Sequence, residues 1–170
     1  MCGIVGYVGS KQAVPILLEG LKRLEYRGYD SAGIAVHDGT AIQIAKAKGR
    51  LTVLEEKLSR RGLNGTLGIG HTRWATHGKP SDINSHPHTN QSGEIALVHN
   101  GIIENYRSLK EWLQREGYFF VSETDTEVVA HLINHFYQGD LVAAVQRALD
   151  KIEGSYALGV IARAHPDRVV

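Results

Sequence analysis

The sequence predicts an α+β domain with largely antiparallel sheets, and three observations favour this class. Segments with strand and helix character follow one another in blocks of two. The helices are too few for strict β-α-β alternation, and Asp38-Gly39 joins two strand-like stretches as a hairpin turn would. The chain has 170 residues, which is enough for one domain with a sizeable core.

The first half of the chain is predicted from its apolar periodicity and its turn residues. A helix is expected over 11–24, because apolar residues recur there at i, i+3, i+4 and i+7: Val14, Leu17, Leu18, Leu21 and Leu24. Asp38-Gly39 is the two-residue turn type that closes hairpins. The remaining elements expected in this half are strands at 3–8, 31–37, 40–46 and 66–72, and a short helix at 51–58 that ends before Gly62.

Residues 78–93 show neither helical nor strand periodicity. A loop of this length inside a compact domain is more often a lid or a binding loop than a plain connection, and disorder is the alternative.

Regular structure is expected again after this loop. Thr124 and Glu127 have capping-box spacing, which predicts a helix that continues to Phe136, and Asn105 is the candidate cap of the helix before it. The other expected elements are strands at 94–99, 118–121 and 156–162 and helices at 106–116 and 141–152. Asn100-Gly101 is expected to lie at a strand end, where this dipeptide commonly forms a turn.

Composition excludes several functional classes. The formal net charge is +1 without any basic run, so neither nucleic acid nor an anionic membrane surface is an expected partner. No apolar stretch approaches the ~20 residues that span a bilayer, and no secretory signal is visible. A single cysteine excludes an internal disulfide and fits a reducing compartment, so we expect a cytoplasmic protein.

That cysteine, Cys2, is the first candidate for chemistry. If Met1 is removed, Cys2 carries a thiol and a free α-amine, and both groups titrate near neutral pH. The amine can then take the thiol proton and later return it to a leaving group, so one residue is both nucleophile and general base. The alternative is a small buried thiol that happens to lie near the start.

Residues 71–78 (His-Thr-Arg-Trp-Ala-Thr-His-Gly) lie where a strand gives way to the long loop. Arg73 is a candidate clamp for a substrate carboxylate, since its planar fork makes two parallel charge-assisted bonds. Trp74 is a candidate shield against water, and Thr76 and His77 add hydrogen-bond donors. The alternatives are a solvated surface arginine and a core aromatic residue.

Two further positions suggest amide chemistry. Asn100 and Gly101 offer a side-chain amide and an unhindered backbone N–H, the two donors that an oxyanion requires; ordinary turn chemistry is the alternative. Asp125 lies at a predicted helix start, where the helix dipole alone favours a carboxylate. As a ligand group, Asp125 would pair with a substrate ammonium, so that Arg73 and Asp125 would bracket both charges of an α-amino acid.

Five of the nine histidines lie between residues 71 and 99, which raises the possibility of a metal site. Their spacings match no zinc signature, and there is no second cysteine. We therefore expect no metal and no other cofactor, and we interpret most of these histidines as hydrogen-bonding groups of the loop.

Several segments carry a resemblance to a known family. They are residues 1–6 (Met-Cys-Gly-Ile-Val-Gly), 24–33 (Leu-Glu-Tyr-Arg-Gly-Tyr-Asp-Ser-Ala-Gly), 71–78, 86–88 (His-Pro-His), 98–105 (Val-His-Asn-Gly-Ile-Ile-Glu-Asn) and 122–127 (Ser-Glu-Thr-Asp-Thr-Glu). The first resembles the start of class II glutamine amidotransferases, which are N-terminal-nucleophile hydrolases. The others resemble the glutaminase half of isomerising glutamine–fructose-6-phosphate aminotransferases, and the match covers nearly the whole chain.

The resemblance implies an αββα sandwich and a set of residue roles. Cys2 would be the nucleophile, and Asn100 and Gly101 the oxyanion hole. The implied glutamine contacts are Arg73, Thr76, His77 and Asp125. Arg27 and Trp74 would lie at the site periphery, with Trp74 where ammonia leaves.

It also implies that residues 1–170 are a glutamine amidotransferase type 2 domain that lacks its C-terminal part, which would leave the sheets incomplete there. The implied partners are L-glutamine and L-glutamate, and a sugar-isomerase domain that would follow in the full-length enzyme, in which a homodimer is plausible. Two alternatives stay open: a non-catalytic fragment that binds glutamine or glutamate, and a metal-dependent hydrolase that uses the histidine-rich loop.

Overall fold

The computed structural model describes residues 2–170, except for the side chain of Arg27. Its described strands pair in two sheets, and every strand pair is antiparallel. Among the described residues, none of the helices combines the length and the apolar content that crossing a bilayer requires.

The first sheet has the strand order β1-β4-β2-β3 and carries two helices on its outer face. Its strands are β1 (Gly3–Val8), β2 (Ser31–His37), β3 (Ile42–Lys48) and β4 (Leu67–Arg73), and its helices are α1 (Ala13–Leu24) and α2 (Leu51–Arg61). A short 3-10 helix, Glu25–Arg27, follows α1. Gly62 ends α2 in the left-handed conformation, and its N–H donates to Leu58 O, as a C-terminal glycine commonly does.

The second sheet has the order β5-β6-β7 and packs against helices on its own outer face. Its strands are β5 (His88–Thr89), β6 (Ile95–Ile103) and β7 (Gly154–Ala162), and the helices after β6 are α3 (Tyr106–Arg115), α4 (Asp125–Phe136) and α5 (Leu141–Leu149). The backbone of Val170 exchanges two hydrogen bonds with that of Val160 in β7, at 2.8 and 2.9 Å.

Three apolar cores, counted over the described residues, hold these layers together. One lies between the first sheet and α1 and α2, and another between the second sheet and its helices. The third lies between the two sheets and contains Ala35, Leu67, Ile69, Ala96, Val98 and Ile161. Alternate residues of a strand point to opposite faces, so each sheet buries both faces, and the result is an αββα sandwich. The predicted α+β class with antiparallel sheets is confirmed.

The predicted hairpin is present, but its turn is longer than two residues. His37 pairs with Ile42, and Asp38 N–H donates to Ala41 O at 3.0 Å. The Asp38 carboxylate accepts the N–H groups of Thr40 and Ala41, both at 2.8 Å. Because the Asp38 side chain accepts the backbone N–H groups of the turn, the hairpin can use four connecting residues, whereas the Asp-Gly dipeptide indicated two.

Asn100-Gly101 was predicted at a strand end and lies instead within β6, paired with Ala157 and Tyr156. Residues 118–121, all within the described part, form no strand. Val121 and Ser122 donate their N–H groups to the carboxylate of Glu127 instead of to a neighbouring strand, which explains that absence.

The same bonds show that the predicted capping box is wrong. Thr124 and Asn105 occupy N-cap positions, yet neither side chain makes a capping hydrogen bond within the described chain. Asn105 instead binds the backbone of Lys151 and Glu153, at 2.8 and 2.9 Å. Tertiary partners therefore replaced the local bonds that the spacing indicated.

The long loop at 78–93 is irregular apart from β5, as predicted, but it is anchored to the protein. Asn84 accepts the N–H of Glu123 at 3.0 Å and donates to the Glu123 carboxylate at 2.8 Å and to Lys79 O at 2.9 Å. Ser85, His86 and His88 are buried. This anchoring places His86 against the site described next, with the ring of His88 packed against that of His86.

Candidate active site

Strand pairing explains why residues from distant parts of the chain meet at one place. The antiparallel register pairs Gly3 with Thr72, so Cys2 lies beside the end of β4, where Arg73 is the last strand residue and Trp74 follows it. Asn100 and Gly101 come from β6 of the facing sheet. Asp125 is the first residue of α4, which packs against β6.

Cys2 is partly buried, and its sulfur is held by the backbone of Trp74. Trp74 N–H donates to Cys2 Sγ at 3.1 Å, and the thiol lies 3.5 Å from Trp74 O. Burial raises the pKa of the Cys2 thiol, while the bond from Trp74 N–H and the charge of Arg73 act in the opposite direction. The sulfur therefore lies in the pocket wall and not in the apolar core.

Arg73 is buried, so the alternative of a solvated surface arginine is wrong. Its Nη2 donates to the backbone oxygens of His77 and Gly78, which fixes the loop that follows β4. Its Nη1 has no hydrogen-bond partner among the described residues and lies 3.8 Å from Asp30 Oδ1. A buried guanidinium with spare donor capacity is suited to an anionic ligand.

Asp125 is buried and lines the pocket, and protein groups use only part of the hydrogen-bonding capacity of its carboxylate. Its Oδ2 accepts the N–H of Ile103 at 2.8 Å, and its Oδ1 lies 3.8 Å from His77 Nδ1. The carboxylate therefore supports the β6 backbone and also presents an oxygen near the pocket.

Asn100 bridges the two sheets beside Cys2. Its Nδ2 donates to Cys2 O at 3.3 Å, and its Oδ1 lies 2.8 Å from His71 Nε2. Gly101 has φ of 121°, and a Cβ there would lie 1.9 Å from Ser155 O, so only glycine fits this close approach of the strands.

Trp74 is 56% exposed, so the alternative of a core aromatic residue is wrong. Its ring lies beside the backbone of Gly28, where a Cβ would be 3.5 Å from Trp74 Cζ3. Thr76 and His77 also line the pocket. The predicted peripheral position of the Arg27 side chain lies outside the described residues.

The pocket itself is small, with a cavity volume of about 10 Å³. It is lined by Cys2, Arg73, Trp74, Thr76, His77, His86, His99, Gly101, Thr124, Asp125 and Thr126. Larger cavities exist elsewhere on the described surface, but Cys2 does not line them. Most predicted site residues thus meet around one cavity, and Asn100 joins them through Cys2.

Sequence reasoning missed several polar neighbours of this cavity. Asp30 lies beside Arg73, and Thr126 bonds His99 Nδ1 at 2.9 Å. His86 and His99 line the cavity, although they were interpreted as loop hydrogen-bonding groups. The clustering of histidines in the sequence indicated a functional region, but only the fold shows that His86 and His99 face the cavity.

Four of the five clustered histidines are buried: His71, His86, His88 and His99. Burial lowers the pKa of each, for His71 to about 3, which leaves these rings uncharged at neutral pH. Within the described residues, His, Cys, Asp and Glu side chains form no group of three or more arranged to hold a metal ion.

Comparison with known proteins decides the family. The family model for the glutamine amidotransferase domain matches residues 71–170. The chain belongs to this family. The remaining comparisons agree with this assignment of a glutamine amidotransferase domain.

Two curated relatives match this chain over all 170 of its residues. The glutamine–fructose-6-phosphate aminotransferase [isomerizing] of Caldanaerobacter subterraneus subsp. tengcongensis is 67% identical over 170 residues, and that of Clostridium tetani is 64% identical over 170 residues. Each alignment covers 100% of this chain and 28% of the relative. The chain therefore spans little more than a quarter of the length of these relatives.

Among solved structures, the glutamine phosphoribosylpyrophosphate amidotransferase of B. subtilis superimposes with a TM-score of 0.83 at 31% identity, over 96% of this chain and 35% of that one. A glutamine aminotransferase class-II domain protein from Silicibacter pomeroyi superimposes with a TM-score of 0.63 over 96% of this chain and 73% of that one, and at 15% identity it supports the fold alone. Both agree with the αββα arrangement of the amidotransferase domain.

Proposed function

We propose that this glutamine amidotransferase domain hydrolyses the side-chain amide of L-glutamine, giving L-glutamate and ammonia. One observation carries the proposal. A partly buried sulfur, a buried carboxylate and a buried guanidinium whose Nη1 has no hydrogen-bond partner among the described residues line one small cavity, and a buttressing asparagine is bonded to the backbone of Cys2 beside it. These are the groups that binding and cleaving an amino acid's side-chain amide require.

The charged groups orient the amino-acid end of glutamine. Arg73 Nη1 receives the α-carboxylate, with Thr76 and His77 as additional donors, and Asp125 Oδ1 pairs with the α-ammonium. A ligand with both charges fills the spare capacity of two oppositely charged, buried groups. Uncharged amides lack these contacts and are weak substrates.

The reaction follows from the position of Cys2. Removal of Met1 frees the α-amine of Cys2, which takes the thiol proton as the sulfur attacks the amide carbon. Asn100 Nδ2 and the N–H of Gly101 stabilise the oxyanion of the tetrahedral intermediate. The amine then protonates departing ammonia, and water cleaves the γ-glutamyl thioester to release glutamate and restore the thiol.

In the longer enzyme to which the curated relatives point, the ammonia would aminate fructose 6-phosphate, giving glucosamine 6-phosphate. This part of the proposal rests on the relatives' names and on the 67% and 64% identities. A sugar-isomerase domain as the partner, Trp74 where ammonia leaves, Arg27 at the site periphery, a homodimer and a cytoplasmic location are parts of the same proposal.

The test compares glutamate release by the native protein, by Cys2→Ala and by a variant with an uncleavable N-terminal extension. Cys2→Ala should abolish release, and the extension should do so as well, because it removes the free amine. Intact-mass analysis with a glutamine-analogue electrophile should show a single adduct at Cys2 only when Met1 is absent.

Glutamate binding by calorimetry separates the outcomes. Binding by both inactive variants with intact native activity supports the full proposal. Binding without turnover in the native protein would instead support the non-catalytic alternative. Full activity of the extended variant would remove the role of the amine.

A further inference from the structure

The side-chain amide of Asn100 has two ends with different partners. Nδ2 faces Cys2 O at 3.3 Å, and Oδ1 faces His71 Nε2 at 2.8 Å. An asparagine amide can rotate by half a turn at little steric cost, because its oxygen and nitrogen are nearly the same size. Something in the protein must therefore select the orientation that offers a donor beside the nucleophile.

The partner on the cysteine side allows only one orientation. Cys2 O is a carbonyl oxygen and accepts only, so the amide nitrogen must face it. Asn100 Oδ1 consequently faces His71, and His71 must supply a proton at Nε2. An uncharged imidazole carries one N–H, so His71 is the Nε2–H tautomer and its Nδ1 is unprotonated. Nδ1 has no hydrogen-bond partner in the described part of the chain.

His71 is itself held rigidly. Its side chain is fully buried on β4, and its ring stacks on His86 with centroids 4.1 Å apart and an interplanar angle of 14°. His86 Nδ1 accepts the N–H of His99, the residue before Asn100, at 3.2 Å. The His71 ring, which contacts the Asn100 amide, and strand β6, which carries Asn100, are therefore both bound to His86.

We propose that His71 is a positioning residue of the amide hydrolysis: its Nε2–H holds Asn100 Oδ1, and so keeps Asn100 Nδ2 turned toward the oxyanion. The inference rests on the proposed function for its catalytic consequence. His71 does not touch the pocket, so its effect passes through Asn100. Without this donor, only the 3.3 Å bond to Cys2 O opposes rotation of the amide, so the orientation that presents an oxygen to a developing negative charge becomes more populated.

Two substitutions of His71 distinguish the contribution of its N–H donor from that of its ring. His71→Phe keeps a planar ring against His86 but has no donor. His71→Gln loses the ring but places an amide N–H near the former Nε2. His37→Phe is the matched control: His37 is also buried on the same sheet, and its Nε2 contacts a backbone oxygen, Arg163 O, at 2.8 Å, away from the cavity.

Steady-state glutamine hydrolysis gives the first readout. Loss of one oxyanion donor lowers turnover by ~10²–10³, so His71→Phe should lower kcat by about 10²-fold with KM changed less than about threefold. His71→Gln should recover at least about tenfold of that loss, and His37→Phe should keep native kcat. Equal loss in the Phe and Gln variants, both folded by circular dichroism, would overturn the inference, as would native kcat in His71→Phe.

Nitrogen NMR of the histidine rings gives a readout that does not depend on turnover. The Nε2–H tautomer of His71 is expected, and the side-chain amide signals of Asn100 should shift in His71→Phe but not in His37→Phe. An Nδ1–H tautomer would overturn the inference even in an active protein. Conversely, if the native protein lacks glutaminase activity while this tautomer is present, the proposed function fails and the orientation of Asn100 stands.

Discussion

The protein around the pocket has two sides of different chemistry, and only some of their residues line the cavity itself. One, the charged side, consists of Asp30, Arg73 and Asp125. The other, the histidine side, consists of His71, His86, His88 and His99. All seven side chains are largely buried, yet the first three are ionisable groups of opposite sign and the last four are uncharged rings.

The difference separates the groups that can bind a ligand from the groups that maintain the geometry of the pocket. Buried charges are costly unless they are paired, and Arg73 Nη1 has no hydrogen-bond partner in the described structure. The charged side thus retains capacity that a ligand can satisfy. The histidine side turns most of its ring nitrogens to Asn100, to backbone, or to Thr124 and Thr126, and so maintains geometry.

The largest expected effect comes from acid, which should break the histidine side. A histidine whose pKa is lowered in the folded state takes up its proton on unfolding, so the free energy of unfolding falls as pH falls below about 6.5. Each such histidine costs up to about 1.4 kcal/mol per pH unit. Urea unfolding should therefore show a loss of several kcal/mol between pH 7 and pH 5.

The groups that face these rings explain the direction. His86 lies against His71, His88, His99 and the charge of Arg73, while His88 faces Lys46 and the carboxylate of Glu127. His88→Gln removes one titrating ring and should flatten the pH slope by about one proton. A free energy of unfolding that stays constant from pH 7 to pH 5 would contradict the assignment of these rings as uncharged.

The next effect concerns the charged side. Arg73→Lys keeps the positive charge but loses the planar fork that bonds two partners at once, so KM for glutamine should rise about 10²-fold, or ~2.7 kcal/mol. Initial-rate kinetics measures this change. Arg23→Lys is the control, because Arg23 is an exposed arginine paired with Glu19 and should keep native KM. Native KM in Arg73→Lys would contradict the carboxylate contact.

A smaller effect is expected from crowding the histidine side. A Cβ at Gly33 would lie 2.1 Å from His86 O, a backbone atom that cannot move aside alone. Gly33→Ala should therefore lower the free energy of unfolding by about 1–3 kcal/mol. Thermal and urea unfolding measure this loss, and Gly6→Ala is the matched strand control, since the nearest atom there is 3.6 Å away. Equal stability of the two variants would contradict the close approach.

The smallest effect is expected from removing one charge on the charged side. Asp125→Asn can still accept the N–H of Ile103 but no longer attracts an ammonium. KM for glutamine should rise about tenfold, or ~1.4 kcal/mol, with little change in stability. Asp167→Asn, at an exposed carboxylate bonded to Arg168, is the control. A fall in stability without a change in KM would show that Asp125 serves only the strand.

Much of the fold was predictable from local signals. The apolar spacing in α1, the glycine that ends α2 and the alternating blocks of strands and helices all act over short distances, and the structure confirms them. Two of the errors share one cause. Asn105 and Glu127 found partners other than those that their local spacing indicated, because a side chain takes the partner that the packed structure offers.

The site residues were likewise predictable only in part from local signals. Cys2, Arg73 and Asp125 could be singled out as residue types suited to amide chemistry, but each had an ordinary structural alternative. Burial of Arg73 and exposure of Trp74 decided two of these alternatives. Asp30 and His71 gave no chemical signal by themselves, since their significance depends on neighbours 43 and 29 residues away along the chain.

The sequence by itself determined the residue types, the secondary structure that apolar periodicity specifies, and the family, because these depend on local order along the chain. Only the tertiary structure decided which side chains share a cavity, which of the buried groups are uncharged, and which way an amide faces. Those properties depend on distance, burial and hydrogen-bond partners, which arise when the two sheets pack face to face.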